Sequence, residues 1–243
     1  MKLICYLNFL ETVFKKIISN ITFIAMKDKQ VTLFGASGLI GGVLIKQLLE
    51  DPSISKIKIA SRGPIKFVHE KIIFFQISFS DQKELEKSVA DSVVVFSTIG
   101  STKAKVNGDK NAYRRIDFDI NLSIAKSCLK MKVNQFQLVS SGGADASSKN
   151  FYLKLKGEIE VAVFDLKLPS AVILRPSLLL GKRNEFRFGE KIAQILMPLF
   201  SFLFSDNYKP IKATSVAKSM LKYSKIKPLG NHVIYNKEMI KDL

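Results

Sequence analysis

From residue 30 onward, the chain alternates short apolar runs with longer amphipathic ones. The apolar runs predict strands at residues 31–34, 56–60, 72–77, 92–97, 135–140 and 171–174. The amphipathic runs predict helices at residues 39–50, 82–90, 110–131 and 152–166. Strands that are apolar throughout and separated by helices indicate a parallel sheet covered on both faces. The pattern therefore predicts an α/β, doubly wound fold.

The pattern changes after residue 176. Residues 188–204 form a long apolar run broken by Pro198, residues 213–224 predict another helix, and residues 232–235 predict a last short strand. We expect residues 177–243 to form a small C-terminal extension on the substrate side of a cleft. The apolar run either packs on the core or contacts a second copy of the chain or a membrane.

The first 26 residues are rich in Ile, Leu and Phe, but their longest uncharged stretches, 3–10 and 17–26, are too short to span a bilayer as a helix. Three interpretations stay open. The segment is an amphipathic helix that contacts a membrane surface or the domain, a weak targeting signal, or untranslated sequence before Met26. In each case residues 27–243 are expected to form a single domain.

Composition limits the function classes. The 243 residues are 47% hydrophobic and carry a net charge of +17, and the Lys residues are scattered singly. This pattern predicts a solvated basic surface that would also suit cofactor phosphates, and no specific nucleic-acid partner is expected. Two unpaired cysteines, Cys5 and Cys128, indicate a reducing compartment, and we expect a cytoplasmic protein. The two histidines, His69 and His232, are far apart, so no metal site is expected.

A glycine-rich turn follows the first predicted strand. Gly35, Gly38 and Gly41 stand three residues apart, and a helix follows directly. Glycines permit a tight turn and close approach of the backbone to a pyrophosphate, while the positive helix end attracts the phosphate. The strand–turn–helix context predicts an NAD(P)-binding Rossmann fold.

The second strand indicates which dinucleotide is bound. NAD binders usually carry an acidic residue about 20 residues after the glycines, to bind the ribose 2′-hydroxyl. This chain has Ser61 and Arg62 there. Because Arg favours a 2′-phosphate, NADP is the expected cofactor, and NAD stays as the alternative.

Tyr152 and Lys156 are four residues apart, so on a helix they share one face. A nearby ammonium, together with the positive nicotinamide, makes a phenol usable as an acid or base near neutrality. A strand that ends in Ser140 and Ser141 precedes the pair. A serine there can donate a hydrogen bond to a substrate carbonyl, with Ser141 preferred over Ser140.

Together these residues resemble the short-chain dehydrogenase/reductase superfamily, and within it the atypical branch of Tat-interacting-protein-like oxidoreductases. The resemblance runs from about residue 31 to about residue 224. It rests on GASGLIGG (35–42), FSTIGSTKAK (96–105), YRRIDFDINLSIAKSC (113–128), LVSSGGADASSKNFYLKLKGEIE (138–160) and LRPSLLLGKRNEFRFGE (174–190). The third and fifth segments are specific to the branch.

The resemblance implies that Tyr152 gives or takes a proton and that Lys156 binds the nicotinamide ribose. It also implies cofactor contacts from Ser37, Gly38, Leu39, Ile40, Arg62, Gly63, Ile99, Gly100 and the segment around Arg175. One position departs from the pattern. Many members carry Asn in the helix after the fourth strand, where this chain has Asp117, so a proton relay through that Asn does not carry over.

Two classes of function follow. The first is an NADPH-dependent reductase of a small carbonyl compound, with an NAD-dependent epimerase or dehydratase as a variant. The second is a regulatory or scaffold protein that binds NADP(H) with little turnover and meets a partner through its C-terminal region. A homodimer is open in either class.

Overall fold

The computed structural model describes residues 29–101, 106–180 and 207–241. Within them, seven strands form one sheet: β1 (Lys29–Phe34), β2 (Ile54–Ser61), β3 (Ile72–Gln76), β4 (Val94–Ser97), β5 (Gln135–Val139), β6 (Ser170–Arg175) and β9 (Gly230–Tyr235). Their order across the sheet is β3-β2-β1-β4-β5-β6-β9, and every neighbouring pair is parallel. A separate parallel pair joins β7 (Leu179–Leu180) to β8 (Ile211–Lys212). The predicted parallel sheet is confirmed.

Helices cover both faces of the sheet. They are α1 (Leu39–Glu50), α2 (Gln82–Val89), α3 (Lys110–Arg114), α4 (Ile120–Lys130), α5 (Phe151–Asp165), α6 (Ala213–Ile226) and α7 (Asn236–Lys241). Neighbouring residues of β1 show the two faces. Leu33 packs in a core with α1, α6 and α7, while Phe34 packs in a second core with α2, α4 and α5. Because side chains alternate across a strand, each strand contributes to both cores.

The structure differs from the predicted elements in a few places. The predicted helix at 110–131 is helical, but a π-helical turn, Arg115–Asp119, separates α3 from α4. The short β7–β8 pair and α7 were not predicted, because neither has a long periodic pattern. Residues 1–26 and the apolar run at 188–204 lie outside the described residues. Among the described helices, none is both long and apolar enough to cross a membrane.

The order of the strands reverses between β1 and β4, which opens a crevice at their carboxyl ends. The backbone N–H of Thr98, just after β4, donates to the carbonyl of Phe34 at the end of β1 (3.0 Å). The glycine-rich turn and the segment after β4 therefore lie side by side at this crevice.

Candidate active site

Two glycines of the turn are required by the space around them. Gly35 has a φ of +83°, and a Cβ there would lie 2.6 Å from the hydroxyl oxygen of Thr98. A Cβ at Gly41 would lie 2.2 Å from the carbonyl oxygen of Gly35. Any side chain at either position would push the turn away from β4 or from α1. The side of the turn that faces β4 and α1 is therefore closely packed and has no room for a side chain at Gly35 or Gly41.

The amino terminus of α1 is left open for an anion. Its cap residue is Gly38, no side chain accepts a hydrogen bond from its first N–H groups, and its first turn holds no acidic residue. In contrast, Asp81 caps α2 and Asn150 caps α5 through their side-chain oxygens. Uncapped N–H groups and the positive helix end together form a phosphate site. The turn thus fits the pyrophosphate of a dinucleotide.

A cleft of about 1360 Å³ extends from this turn across the carboxyl ends of β4 and β5. Ten of the predicted site residues line it: Ser37, Gly38, Leu39, Ile40, Ile99, Gly100, Ser140, Ser141, Tyr152 and Lys156. Gly35, Gly41, Arg62, Gly63 and Arg175 are not among the described residues of its lining. The volume exceeds the range of about 300–1,000 Å³ that is usual for a single small-molecule pocket.

The predicted Tyr–Lys pair lies on α5, which begins after the Asn150 cap. Lys156 is buried, and its Nζ lies 2.8 Å from Oδ1 of Asp117. The same Nζ lies 5.9 Å from the centroid of the Tyr152 ring. The structure thus places an ammonium group beside the phenol, as the spacing of the two residues predicts.

Electrostatics keep Lys156 charged. Burial alone would lower the pKa of this lysine, but the charge of Asp117, with smaller contributions from Tyr152 and Glu160, raises it above its ordinary value. Lys156 is therefore an ammonium throughout the neutral range.

An aromatic cluster that no sequence motif revealed supports Tyr152. The ring of Tyr113 meets Tyr152 edge to face at 6.0 Å and Phe151 at 6.1 Å. The Tyr113 hydroxyl donates to the carbonyl of Ser101 (3.0 Å). Tyr113 therefore connects α3 to α5 and to the segment after β4.

The two candidate serines have different surroundings. The Ser140 hydroxyl donates to Glu160, which is buried on α5, and Nε of Arg175 donates to the two oxygens of Glu160 at 3.1 and 3.0 Å. Ser140 and Arg175 are thus both engaged by one carboxylate. Among the described residues, the Ser141 hydroxyl makes a single, long hydrogen bond, to the carbonyl of Gly142 (3.3 Å). Ser141 is the better placed serine to meet a ligand.

Arg62 lies just beyond the carboxyl end of β2 and is exposed. Ala60 of β2 pairs with Phe34 of β1, so Arg62 lies next to the glycine-rich turn at the sheet edge. The Ser61 hydroxyl donates to the carbonyl of Gly63, which closes the turn after β2. The role of Arg62 in binding a 2′-phosphate stays a prediction.

Gly157 allows α5 to pack closely on the loop that follows β5. A Cβ at Gly157 would lie 2.1 Å from the backbone nitrogen of Ala146 and 2.3 Å from the carbonyl carbon of Asp145. In addition, the N–H of Asp145 donates to the carbonyl of Leu153 (3.1 Å). The loop that carries Ser141 and the helix that carries Tyr152 are therefore in direct backbone contact.

The far side of the cleft comes from the C-terminal segment. Ser177, Leu178, Leu179 and Tyr208 line it, and the β7–β8 pair brings the two stretches together. The Ser177 hydroxyl donates to the carbonyl of Tyr208 (2.9 Å). Other parts of the segment have a different role, since α6 packs on α1 and β9 completes the main sheet.

Comparisons with known proteins agree with this geometry. The family profile described as NAD(P)H-binding matches residues 35–180. Protein FMP52, mitochondrial, of Meyerozyma guilliermondii is 33% identical over 200 residues, which is 81% of this chain and 85% of that protein. Protein HTATIP2 of Rattus norvegicus is 31% identical over 199 residues, which is 81% of each chain.

Solved structures share the fold. The UDP-glucose 4-epimerase of Thermotoga maritima superposes with a TM-score of 0.65 at 17% identity, over 85% of this chain and 76% of that one. MoeE5 in complex with UDP-glucose and NAD superposes with a TM-score of 0.65 at 13% identity, over 87% and 80% of the two chains.

The fold and the glycine-lined cleft define an NAD(P)-binding Rossmann protein of the oxidoreductase class. The chain belongs to the NAD(P)H-binding family, in the atypical branch that resembles short-chain dehydrogenases/reductases and includes HTATIP2 and the FMP52 proteins.

The expectation of a cytoplasmic protein is wrong. The FMP52 relatives from Meyerozyma guilliermondii and Candida albicans, the latter 34% identical over 198 residues, are named as mitochondrial proteins. Low cysteine content had indicated only a reducing compartment, and it does not distinguish one such compartment from another.

Proposed function

We propose that this protein is an NADP(H)-dependent oxidoreductase that transfers a hydride to a small carbonyl compound, with Tyr152 as the acid/base. The observation that carries the proposal is the buried, charged Lys156 beside the Tyr152 ring, at the wall of a cleft that also contains the open amino terminus of α1. An ammonium in this position lowers the energy of a Tyr152 phenolate, which turnover requires and cofactor binding alone does not.

The chemistry assigns a task to each group. When bound, the nicotinamide supplies the hydride to the carbonyl carbon. The Tyr152 hydroxyl donates its proton to the carbonyl oxygen as negative charge develops there. Ser141 donates a hydrogen bond to the same oxygen, and Lys156 stabilises the phenolate that remains on Tyr152.

The preference for NADP rests on Arg62. Its position beside the glycine-rich turn fits a 2′-phosphate, and β2 ends in Ser61 where an acidic residue would favour NAD. A guanidinium binds a phosphate with two hydrogen bonds at once, which an NAD ribose cannot match.

The test is NADPH oxidation by the purified protein against a panel of aldehydes and ketones. We expect Tyr152→Phe to lower kcat about 10²–10⁴-fold, the usual contribution of a positioned acid, while NADPH affinity stays near that of the wild type. Tyr235→Phe is the matched control, because Tyr235 lies on β9 and is not among the described residues that line the cleft.

Tight NADPH binding without turnover of any carbonyl in the panel would contradict the proposal and would favour a regulatory role. Oxidation that persists in Tyr152→Phe would contradict the assignment of the acid/base.

We also propose that the protein acts in or at mitochondria, on the strength of its identity to relatives with that location in their names. Subcellular fractionation with a matrix marker and a cytosolic marker tests this. Recovery with the cytosolic marker alone would contradict it.

A further inference from the structure

We infer that Asp117 is a positioning residue, which holds Lys156, and through it Tyr152, by a direct ion pair from the π-helical turn. The inference rests on the proposed function and adds to it a residue outside the Ser–Tyr–Lys set. Many members of the short-chain dehydrogenase/reductase superfamily carry an Asn at this position, and the carboxylate of Asp117 makes an ion pair that an amide cannot make.

Each oxygen of Asp117 has a polar neighbour. Oδ1 lies 2.8 Å from Nζ of Lys156, and Oδ2 accepts a hydrogen bond from the backbone N–H of Ser101 (2.7 Å). The side chains of the pair are 0% and 5% exposed, respectively. Enclosed in this way, the carboxylate compensates the charge of Lys156 and fixes the position of its ammonium group.

The π-helical turn directs Asp117 to this position. A π-helical turn inserts one extra residue into a helix and so changes the direction in which the following side chains point. The buried amide of Asn121 stabilises this turn, since its Nδ2 donates to the carbonyl of Asp117 (3.0 Å). Its Oδ1 accepts from the Ser97 hydroxyl at the end of β4 (2.5 Å).

The backbone of Asp117 is therefore held by Asn121 and its carboxylate by Ser101, both of which are attached to the end of β4. Gly100 lies between them, and a Cβ there would be 3.4 Å from Oδ1 of Asp117. The ion pair is thus connected to the strand end that forms the floor of the cleft.

The charge of the carboxylate matters as well as its shape. With a neutral amide at position 117, Lys156 would remain buried without the carboxylate nearest to it, and burial would favour its uncharged form. An uncharged lysine cannot stabilise the Tyr152 phenolate. With an amide at position 117, the reaction rate should therefore decline at a lower pH than it does in the wild type.

The experiment compares Asp117→Asn with Asp119→Asn, the same substitution at an exposed position two residues further along the turn. We expect Asp117→Asn to lower kcat about 100-fold, which is a typical cost of misplacing a reacting group. We also expect the alkaline limb of its kcat/KM profile to move to lower pH, which a purely structural defect would not cause. Asp119→Asn should match the wild type in both.

Asp117→Glu provides a second route if Asp117→Asn does not fold. It keeps the charge and changes the length, so the rate should fall while the alkaline limb stays where the wild type has it. A limb that moves in Asp117→Glu to the same extent as in Asp117→Asn would overturn the electrostatic part of the inference.

Failure of this inference is distinguishable from failure of the proposed function. If the wild type turns over and Asp117→Asn matches Asp119→Asn in rate and pH profile, the inference is wrong and the function stands. If the wild type shows no turnover, the proposed function fails and NADPH affinity decides about positioning. If Asp117→Asn then weakens NADPH binding as much as Lys156→Ala does, the inference is supported. If Asp117→Asn leaves NADPH binding unchanged, the inference is wrong.

Discussion

The cleft has a cofactor half, formed by the glycine-rich turn, and a reaction half, which contains Tyr152 and Lys156, and the two are stabilised by different interactions. The cofactor half consists of backbone, with a positive φ at Gly35, a close contact at Gly41 and the uncapped start of α1. The reaction half depends on buried charge, in the Lys156–Asp117 pair that lines it and in the Arg175–Glu160 pair, which contacts its lining residue Ser140. Backbone packing tolerates almost no added atoms, whereas buried charges tolerate almost no loss of a partner. Substitutions that add atoms should therefore destabilise the cofactor half, and substitutions that remove a charged partner should destabilise the reaction half.

The largest effect is expected in the reaction half, from Glu160→Gln. This change leaves the guanidinium of Arg175 without its compensating charge, and removal of one partner from a buried pair costs about 3–5 kcal/mol. The matched control is Glu158→Gln, which removes a partly exposed pair with Arg114 and should cost about 1 kcal/mol or less. Urea unfolding measures both. Equal costs for the two variants would refute the division of the cleft into two kinds of half.

The cofactor half is tested by adding one methyl group. Gly41→Ala places a Cβ 2.2 Å from the Gly35 carbonyl, and the necessary displacement of the turn should cost about 3 kcal/mol. NADPH affinity, measured by fluorescence titration, should fall in parallel. Gly42→Ala is the control, because its Cβ would meet the nearest atom at 3.5 Å, an ordinary contact. Its stability should be unchanged or slightly higher, since Ala is the better helix former.

The same division explains what was predictable from sequence. The cofactor half is local, since one strand, three spaced glycines and one helix are consecutive in the chain, and each was predicted. The sheet was also predictable, because fully apolar strands mark parallel pairing. Strand ends moved by one or two residues, for example at β9, which begins at Gly230 and not at 232.

The partners of the reaction half were not predictable in the same way. Tyr152 and Lys156 were found from their helical spacing, but Asp117 and Glu160 meet their partners only through tertiary packing. The π-helical turn has no periodic signature that separates it from an α-helix, so residues 110–131 were predicted as one helix. The aromatic cluster around Tyr113 likewise depends on contacts between α3 and α5, which lie about 40 residues apart in the sequence.

An intermediate effect is expected from Arg62→Ala, which changes a side chain of the cofactor half and leaves its backbone intact. Loss of one charge-assisted contact to a 2′-phosphate should weaken NADPH binding by about 1.5–3 kcal/mol. NADH binding should stay the same. Calorimetric titration of both cofactors checks this, and a wild type that binds NADH and NADPH equally well would defeat the NADP assignment.

The smallest effects concern pH and compare two buried lysines. The pKa of Lys156 is raised, so its stabilisation is complete below the ordinary lysine value of about 10.4 and is lost as pH rises through the higher folded value. Burial lowers the pKa of Lys58, which donates to the carbonyl of Ala90, so its contribution to stability increases as pH rises toward that ordinary value.

The measurement is the free energy of unfolding from pH 7 to 11 for the wild type, Lys156→Met and Lys58→Met. The free energy of unfolding of the wild type minus that of Lys156→Met should decrease above about pH 10. The corresponding difference between the wild type and Lys58→Met should increase as pH rises. Each change should be on the order of 1 kcal/mol. Trends of the same sign would show that the carboxylate beside Lys156 does not govern its charge.

The backbone contact at Gly157 has a thermodynamic consequence. Because no side chain separates α5 from the loop at Asp145 and Ala146, the segments that carry Ser141 and Tyr152 pack directly on each other. A ligand that meets both groups therefore freezes little additional motion on binding, and the entropic cost of aligning them is met during folding. A larger side chain at position 157 would separate the two segments. Each binding event would then have to align Ser141 and Tyr152, even in a protein that still folds.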